Sequence, residues 1–140
     1  DYSFLKSENI LIEEFISGKE ISVAVLNGKV LGAIRIVPED KIYDYKAKYL
    51  SDKTQYRYPL SIEEKFENYM LDKSQEICNH LNVKGLVRVD WICDDHSCYI
   101  IEINTLPGWT TTSLCNKIAF RIGMSSERLL TSVLDSVDYE

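Results

Sequence analysis

The sequence predicts an α+β fold, a mainly antiparallel sheet with flanking helices, on three observations. Two pairs of branched and aromatic segments are each joined by a tight-turn signal, one long segment between them spaces its apolar residues as a helix does, and helical segments close the chain. No βαβ alternation runs the length of the 140 residues, so a doubly wound sheet is not expected. That length suits one core, and 45% hydrophobic with 27% charged residues is ordinary for a globular protein, which sets intrinsic disorder aside.

Ile10 to Phe15 and Glu20 to Leu26 are rich in strand-forming residues, and Asn27-Gly28 supplies the positive φ angles of a tight hairpin. Val30 to Val37 is the returning strand, stopped by Pro38, which has no ladder donor. Residues 38–59 carry many Lys, Asp and Tyr without periodicity and read as a long functional loop, since unstructured loops beyond about 12–15 residues commonly serve as lids or binding segments. Ser61 and Glu64 form a capping-box pattern ahead of a helix marked by Ile62, Phe66, Met70, Ile77 and Leu81. Leu86 to Cys93 and Tyr99 to Asn104 are strands around the turn Asp94 to Ser97. Thr105 to Thr112, with Pro107 and Gly108, is a loop; Ser113 caps a helix ending at Ile122 before Gly123, and Ser125 or Ser126 caps a last helix to about Val137.

Lys and Arg number 16 against 22 Asp and Glu, a net charge of -6, so neither nucleic acid nor an anionic membrane is expected as a partner and any phosphate site must be local. No apolar run approaches the roughly 18 residues of a membrane span, and nothing resembles a signal peptide. The four cysteines, Cys78, Cys93, Cys98 and Cys115, lack zinc spacing and suit a reduced cytoplasm as small apolar side chains, although a Cys93 to Cys98 disulfide stays open. His80 and His96 have no partner nucleophile, and Trp91 and Trp109 read as packing residues.

In Val87-Arg88-Val89-Asp90-Trp91 the polar residues are two apart and share one strand face, as do Glu102 and Asn104 in the next strand. If the hairpin closes through Asp94 to Ser97, the four meet across neighbouring strands. Asp90, Glu102 and Asn104 then offer hard oxygen ligands, the set suited to Mg²⁺ with waters and nucleotide phosphates, and Arg88 adds a permanent cation. The competing reading is that these are polar residues on the wet side of a half-exposed sheet.

Arg88-Val-Asp90, Glu102-Ile-Asn104-Thr-Leu-Pro-Gly108 and Thr112-Ser113-Leu114 resemble the C-terminal signature of the D-alanine-D-alanine ligases of the ATP-grasp superfamily. Glu13 to Glu20 and Tyr43 to Tyr49 match further pieces in the family's order, so the likeness covers nearly the whole chain. The resemblance implies the second subdomain of an ATP-grasp fold and the ATP-dependent joining of two D-alanines through an acyl phosphate, for peptidoglycan precursors. It implies that Asp90, Glu102 and Asn104 hold two Mg²⁺ ions (or Mn²⁺), with Arg88 and the backbone N–H of Gly108 as donors to the tetrahedral intermediate. Ser113 and Leu114 would receive the carboxylate of the second D-alanine. At the adenine end, it implies Glu13 for the amino group, Ile16 for the ring, Glu20 for the ribose, and Glu14 and Phe15 beside them. The long loop would be the lid, with Lys48 on phosphate and Tyr49 reaching the first substrate, a pair that favours a dipeptide over a depsipeptide product.

The likeness begins where the family's second ATP-grasp subdomain begins, and the chain starts at Asp1 and not at Met. The expectation is therefore that residues 1–140 are the C-terminal part of a larger enzyme, lacking its N-terminal domain and first ATP-grasp subdomain and without turnover alone. Homodimerisation is expected of the family's parent enzyme. Two alternatives are another ATP-grasp ligase joining a different carboxylate and amine, and a non-enzymatic domain using its sheet as an interaction surface.

Overall fold

The computed structural model describes residues 11–38, 54–110 and 112–136. Its elements are β1 (Lys19–Leu26), β2 (Lys29–Val37), β3 (Gln55–Arg57), α1 (Glu64–His80), β4 (Leu86–Cys93), β5 (Cys98–Asn104), α2 (Leu114–Arg121) and α3 (Ser126–Leu134). The strands form one sheet in the order β3-β2-β1-β4-β5, every neighbouring pair antiparallel, as the α+β reading expects. Asn27 (φ 49°) and Gly28 (φ 73°) make the first hairpin, both left-handed as such a turn requires. The turn is tied to the start of β4, since Asn27 N donates to Gly85 O at 2.9 Å and Gly85 N donates to Asn27 Oδ1 at 2.8 Å.

β1 is central and covered on both faces, so Ile21 to Leu26 are all buried. Ile21, Val23 and Val25 point with Val87, Val89 and Trp91 into a core under α1, which contributes Met70 and Cys78. Met70, Ser74 and Cys78 recur every four residues, which puts them on one helix stripe. Ser74 lies on this dry stripe because its hydroxyl is used twice: Oγ donates to Met70 O at 2.8 Å and accepts from Trp91 Nε1 at 2.9 Å. Ala24, Leu26, Ile34, Ile36 and Leu86 face the other way, against Leu114, Cys115 and Ile118 of α2 and Leu129 of α3. Ser113 and Ser125 cap these two helices, each accepting from the backbone N–H three residues on.

Three expectations are corrected, and the disulfide left open is resolved. Leu11 to Phe15 form no strand, and Leu11, Ile12 and Phe15 are 81%, 88% and 78% exposed; both edges of β1 are already taken by β2 and β4. Gln55–Arg57, within the long loop, does form a strand, extending the sheet beside Arg35 to Val37. Ser61 caps nothing: its φ is +58°, its carbonyl accepts from Lys19 Nζ at 2.8 Å, and Glu63 is the N-cap without a side-chain bond. Cys93 and Cys98 are joined by a disulfide across the last pair of the β4–β5 hairpin, whereas Cys78 and Cys115 are free and buried, as small apolar side chains should be. Among the described residues, no helix is long and apolar enough to cross a membrane.

Candidate functional site

β1, β4 and β5 lie side by side, and their register sets Ser22, Asp90 and Glu102 in one cross-strand row and Ala24, Arg88 and Asn104 in the next. The predicted juxtaposition of Arg88, Asp90, Glu102 and Asn104 is therefore present. Because Val87, Val89 and Trp91 turn toward α1, the alternating Arg88 and Asp90 turn toward α2 and α3. A bulge follows, as pairing passes from Asp90↔Glu102 to Trp91↔Ile100 and leaves Ile101 unmatched. Such a bulge bends the edge strand beside its functional pair.

On β4 the wet-sheet reading fails on burial, since Arg88 and Asp90 are only 6% and 8% exposed, whereas β5 is largely open. Charges so placed need partners. Arg88 Nε donates to Asp90 Oδ1 and Oδ2 at 2.9 Å each, and Nη2 donates to Asp90 Oδ2 at 2.6 Å and to Glu102 Oε1 at 3.0 Å. Burial opposes the Arg88 charge, but the Asp90 and Glu102 carboxylates more than offset it and raise its pKa above the ordinary value. Within the cluster one guanidinium faces two carboxylates, leaving one negative charge. Glu102 sits on the open side, its side chain 52% exposed.

Asn104 ends β5 and folds its side chain forward, Oδ1 accepting from Leu106 N at 3.0 Å, a local turn that starts the loop. Pro107 is buried, and Gly108 faces open space, with nothing within 4 Å of where a Cβ would stand. The loop returns through Thr110, whose carbonyl accepts from Ser113 N at 3.0 Å and Asn116 Nδ2 at 2.7 Å. Ser113 and the buried Leu114 then open α2. Cys115, next in line, is near Arg88 and Asp90; burial pushes its thiol up to about 12, against the lowering effect of Arg88.

The remaining predicted residues are less gathered. Glu20 is half-buried on β1, two residues before Ser22 and on the same face. Glu13, Glu14 and Phe15 are exposed and Ile16 half-buried on the irregular segment before β1. Lys48 and Tyr49, with the rest of residues 39–53 from the loop read as a lid, lie outside the described residues. Two polar residues were not singled out from sequence: Ser22, which is fully buried and donates to Asp90 Oδ1, and Asn116, 7% exposed, which pins the loop. Ser22 sits in an apolar run and looks like strand filler; only the row it shares with Asp90 marks it.

Among the described residues no group of three His, Cys, Asp or Glu is gathered; the candidate set is two carboxylates and an amide. Two carboxylates and an amide fit a Mg²⁺ that keeps waters and takes its other ligands from phosphate oxygens.

The model of the family described as D-ala D-ala ligase C-terminus matches residues 1–135. The chain is 41% identical over 128 residues to the D-alanine--D-alanine ligase of Anaeromyxobacter sp. (strain K), covering 91% of this chain and 42% of that protein. It is 39% identical over 136 residues to the D-alanine--D-alanine ligase of Haemophilus influenzae (strain PittEE), covering 96% of this chain and 46% of that protein. A crystal structure of D-alanine--D-alanine ligase from Bacillus anthracis complexed with ATP superposes with a TM-score of 0.72 at 30% identity, over 89% of this chain and 41% of that one. The chain thus spans less than half the length of these curated relatives.

Proposed function

The chain belongs to the D-Ala-D-Ala ligase C-terminal family, and from that premise we propose that it carries the ATP- and metal-binding half of an enzyme that joins two D-alanines. In that reaction the carboxylate of one D-alanine takes the γ-phosphoryl of ATP, and the amine of the second attacks the acyl phosphate and expels phosphate. The observation that carries the reading is the cluster of Arg88, Asp90, Glu102 and Asn104 in two adjacent rows that lead straight into the Gly108 loop. Both steps bring anions together, so fixed cations and donors are what the chemistry needs most.

Asp90, Glu102 and Asn104 would hold the Mg²⁺ (or Mn²⁺) ions, which neutralise phosphate charge when bound. Arg88 is held on the same face by Asp90 and Glu102, and we assign it to the oxyanion of the tetrahedral intermediate, where a charge-assisted bond outweighs a neutral one. The open space around Gly108 suits backbone approach to the same oxygen. Ser113 and Leu114 open α2, and the hydroxyl and first-turn N–H groups of a helix start suit the carboxylate of the second D-alanine. Glu20, Glu13, Glu14, Phe15 and Ile16 are assigned to ribose and adenine. Lys48 and Tyr49 are assigned to a lid that shields the acyl phosphate from water.

We extend the reading to residues 1–140 as the C-terminal part of an ATP-grasp domain, to a homodimeric enzyme, and to cytoplasmic peptidoglycan precursor synthesis. The test is D-alanine-dependent ADP release by the full-length protein with Mg²⁺ and ATP, against a panel of other amino and hydroxy acids. D-Alanine as the preferred substrate is expected. ADP release driven by a different carboxylate and amine would replace the substrate assignment, and failure to bind nucleotide would refute the class.

A further inference from the structure

We infer that Ser22 is the positioning residue of the metal-ligating carboxylate Asp90, and this rests on the metal reading above. Ser22 is 0% exposed in a strand whose every other residue from Ile21 to Leu26 is apolar. A hydroxyl there has a desolvation cost that an alanine would avoid, so its hydrogen bond must be made within the protein. That partner is Asp90: the two are paired in the β1–β4 register, and Ser22 Oγ donates to Asp90 Oδ1.

The geometry gives the bond a specific task. Arg88 holds Asp90 from within its own strand, at i and i+2, through Nε on both carboxylate oxygens and Nη2 on Oδ2. Arg88 is also assigned to substrate, so its donors are shared between Asp90 and that role. Ser22 approaches from the neighbouring strand, has no assigned contact with substrate, and holds Oδ1 whichever way the guanidinium points. Its strand is the centre of the sheet, buried on both faces, so packing on either side holds the donor in place. The carboxylate plane is thereby set, with Oδ2 directed toward Arg88 and the Glu102 side of the row. Donors of this kind behind a metal ligand typically contribute about 10- to 100-fold in metal affinity.

The experiment titrates the full-length protein with Mn²⁺, following free Mn²⁺ by electron paramagnetic resonance. Wild type is compared with Ser22→Ala, Ser22→Thr and Asp90→Asn, and thermal melting without metal verifies that each variant is folded. Ser22→Ala is expected to weaken Mn²⁺ binding by about 10-fold or more. It should also raise the KM for Mg²⁺ in ADP release while leaving the KM for D-alanine unchanged, and Ser22→Thr, which keeps the hydroxyl, should restore both. A folded Ser22→Ala protein with wild-type Mn²⁺ affinity would overturn the inference, as would a folded Ser22→Thr protein as weak as Ser22→Ala. If Asp90→Asn also binds Mn²⁺ like wild type, the metal assignment itself fails; if Asp90→Asn is weak while Ser22→Ala is not, only the role of Ser22 fails.

Discussion

Replacing Arg88 by methionine removes a buried cation while keeping most of the side-chain volume, and its cost can be worked from the contacts. Asp90 has four close polar contacts, three from Arg88 and one from Ser22. Its side chain is 11% exposed, so water cannot readily replace what is lost. Breaking a buried pair by removing one partner typically destabilises by about 3–5 kcal/mol, because the other charge stays buried and uncompensated. Ser22 still holds one oxygen, which favours the lower end, about 3 kcal/mol. The second pair, to the half-exposed Glu102, adds less than about 1 kcal/mol after solvent screening. Urea unfolding of the chain, followed through the fluorescence of buried Trp91, measures the change. For a chain of this size about 3 kcal/mol corresponds to a melting-temperature loss on the order of 10 °C. The double variant provides the internal check. Asp90→Asn should cost markedly less in the Arg88→Met background than alone, since the charge left stranded is then gone. An Arg88→Met protein within about 1 kcal/mol of wild type, or additive effects in the cycle, would refute the buried ion pair.

Three further outcomes are expected. Ser74→Ala leaves the Trp91 indole N–H buried without its acceptor and should cost about 1–3 kcal/mol in urea unfolding, with less effect once Trp91→Phe has removed the donor. Gly28→Ala should destabilise the first hairpin by about 1–2 kcal/mol in urea unfolding, because a side chain is strained at a φ of +73°; the new Cβ also meets Asn79 Oδ1, but that exposed amide can turn aside, so Asn79→Ala should recover little. Cys115 should resist iodoacetamide at pH 8 in the folded chain and react once unfolded, read by mass spectrometry. Its thiol is raised from 9.0 to about 12, so the folded state holds the proton more tightly; the associated stability is complete below about pH 9 and is lost as pH rises toward 12.

The central hairpins were legible because their signals are local. Asn27-Gly28 dictates its own turn, and strict alternation in Val87 to Trp91 assigns faces before any partner is known. The same alternation brought Arg88, Asp90, Glu102 and Asn104 together once the hairpin closed. What the sequence concealed depends on distant parts of the chain. Leu11, Ile12 and Phe15 have strand propensity, but they lead directly into β1, whose two sides are occupied by β2 and β4. Gln55–Arg57 has weak propensity and is a strand because the edge of β2 is available. Ser61 has the right spacing to Glu64 for a cap, yet the chain turns through a left-handed φ there and the helix starts at Glu64. Ser22 is informative only opposite Asp90, a pairing across 68 residues of sequence.

We propose the row Asp90–Glu102, with Asn104 beside it, as the charge-handling centre of a D-alanine ligase. Its most direct test is Mg²⁺- and D-alanine-dependent ADP release by the full-length protein carrying Glu102→Gln, a change that keeps shape and removes only the charge. A fall in kcat of at least about 100-fold is expected, with circular dichroism and melting temperature close to wild type, since Glu102 is half exposed and its pairing with Arg88 contributes little to stability. A folded Glu102→Gln protein that releases ADP at the wild-type rate would contradict it.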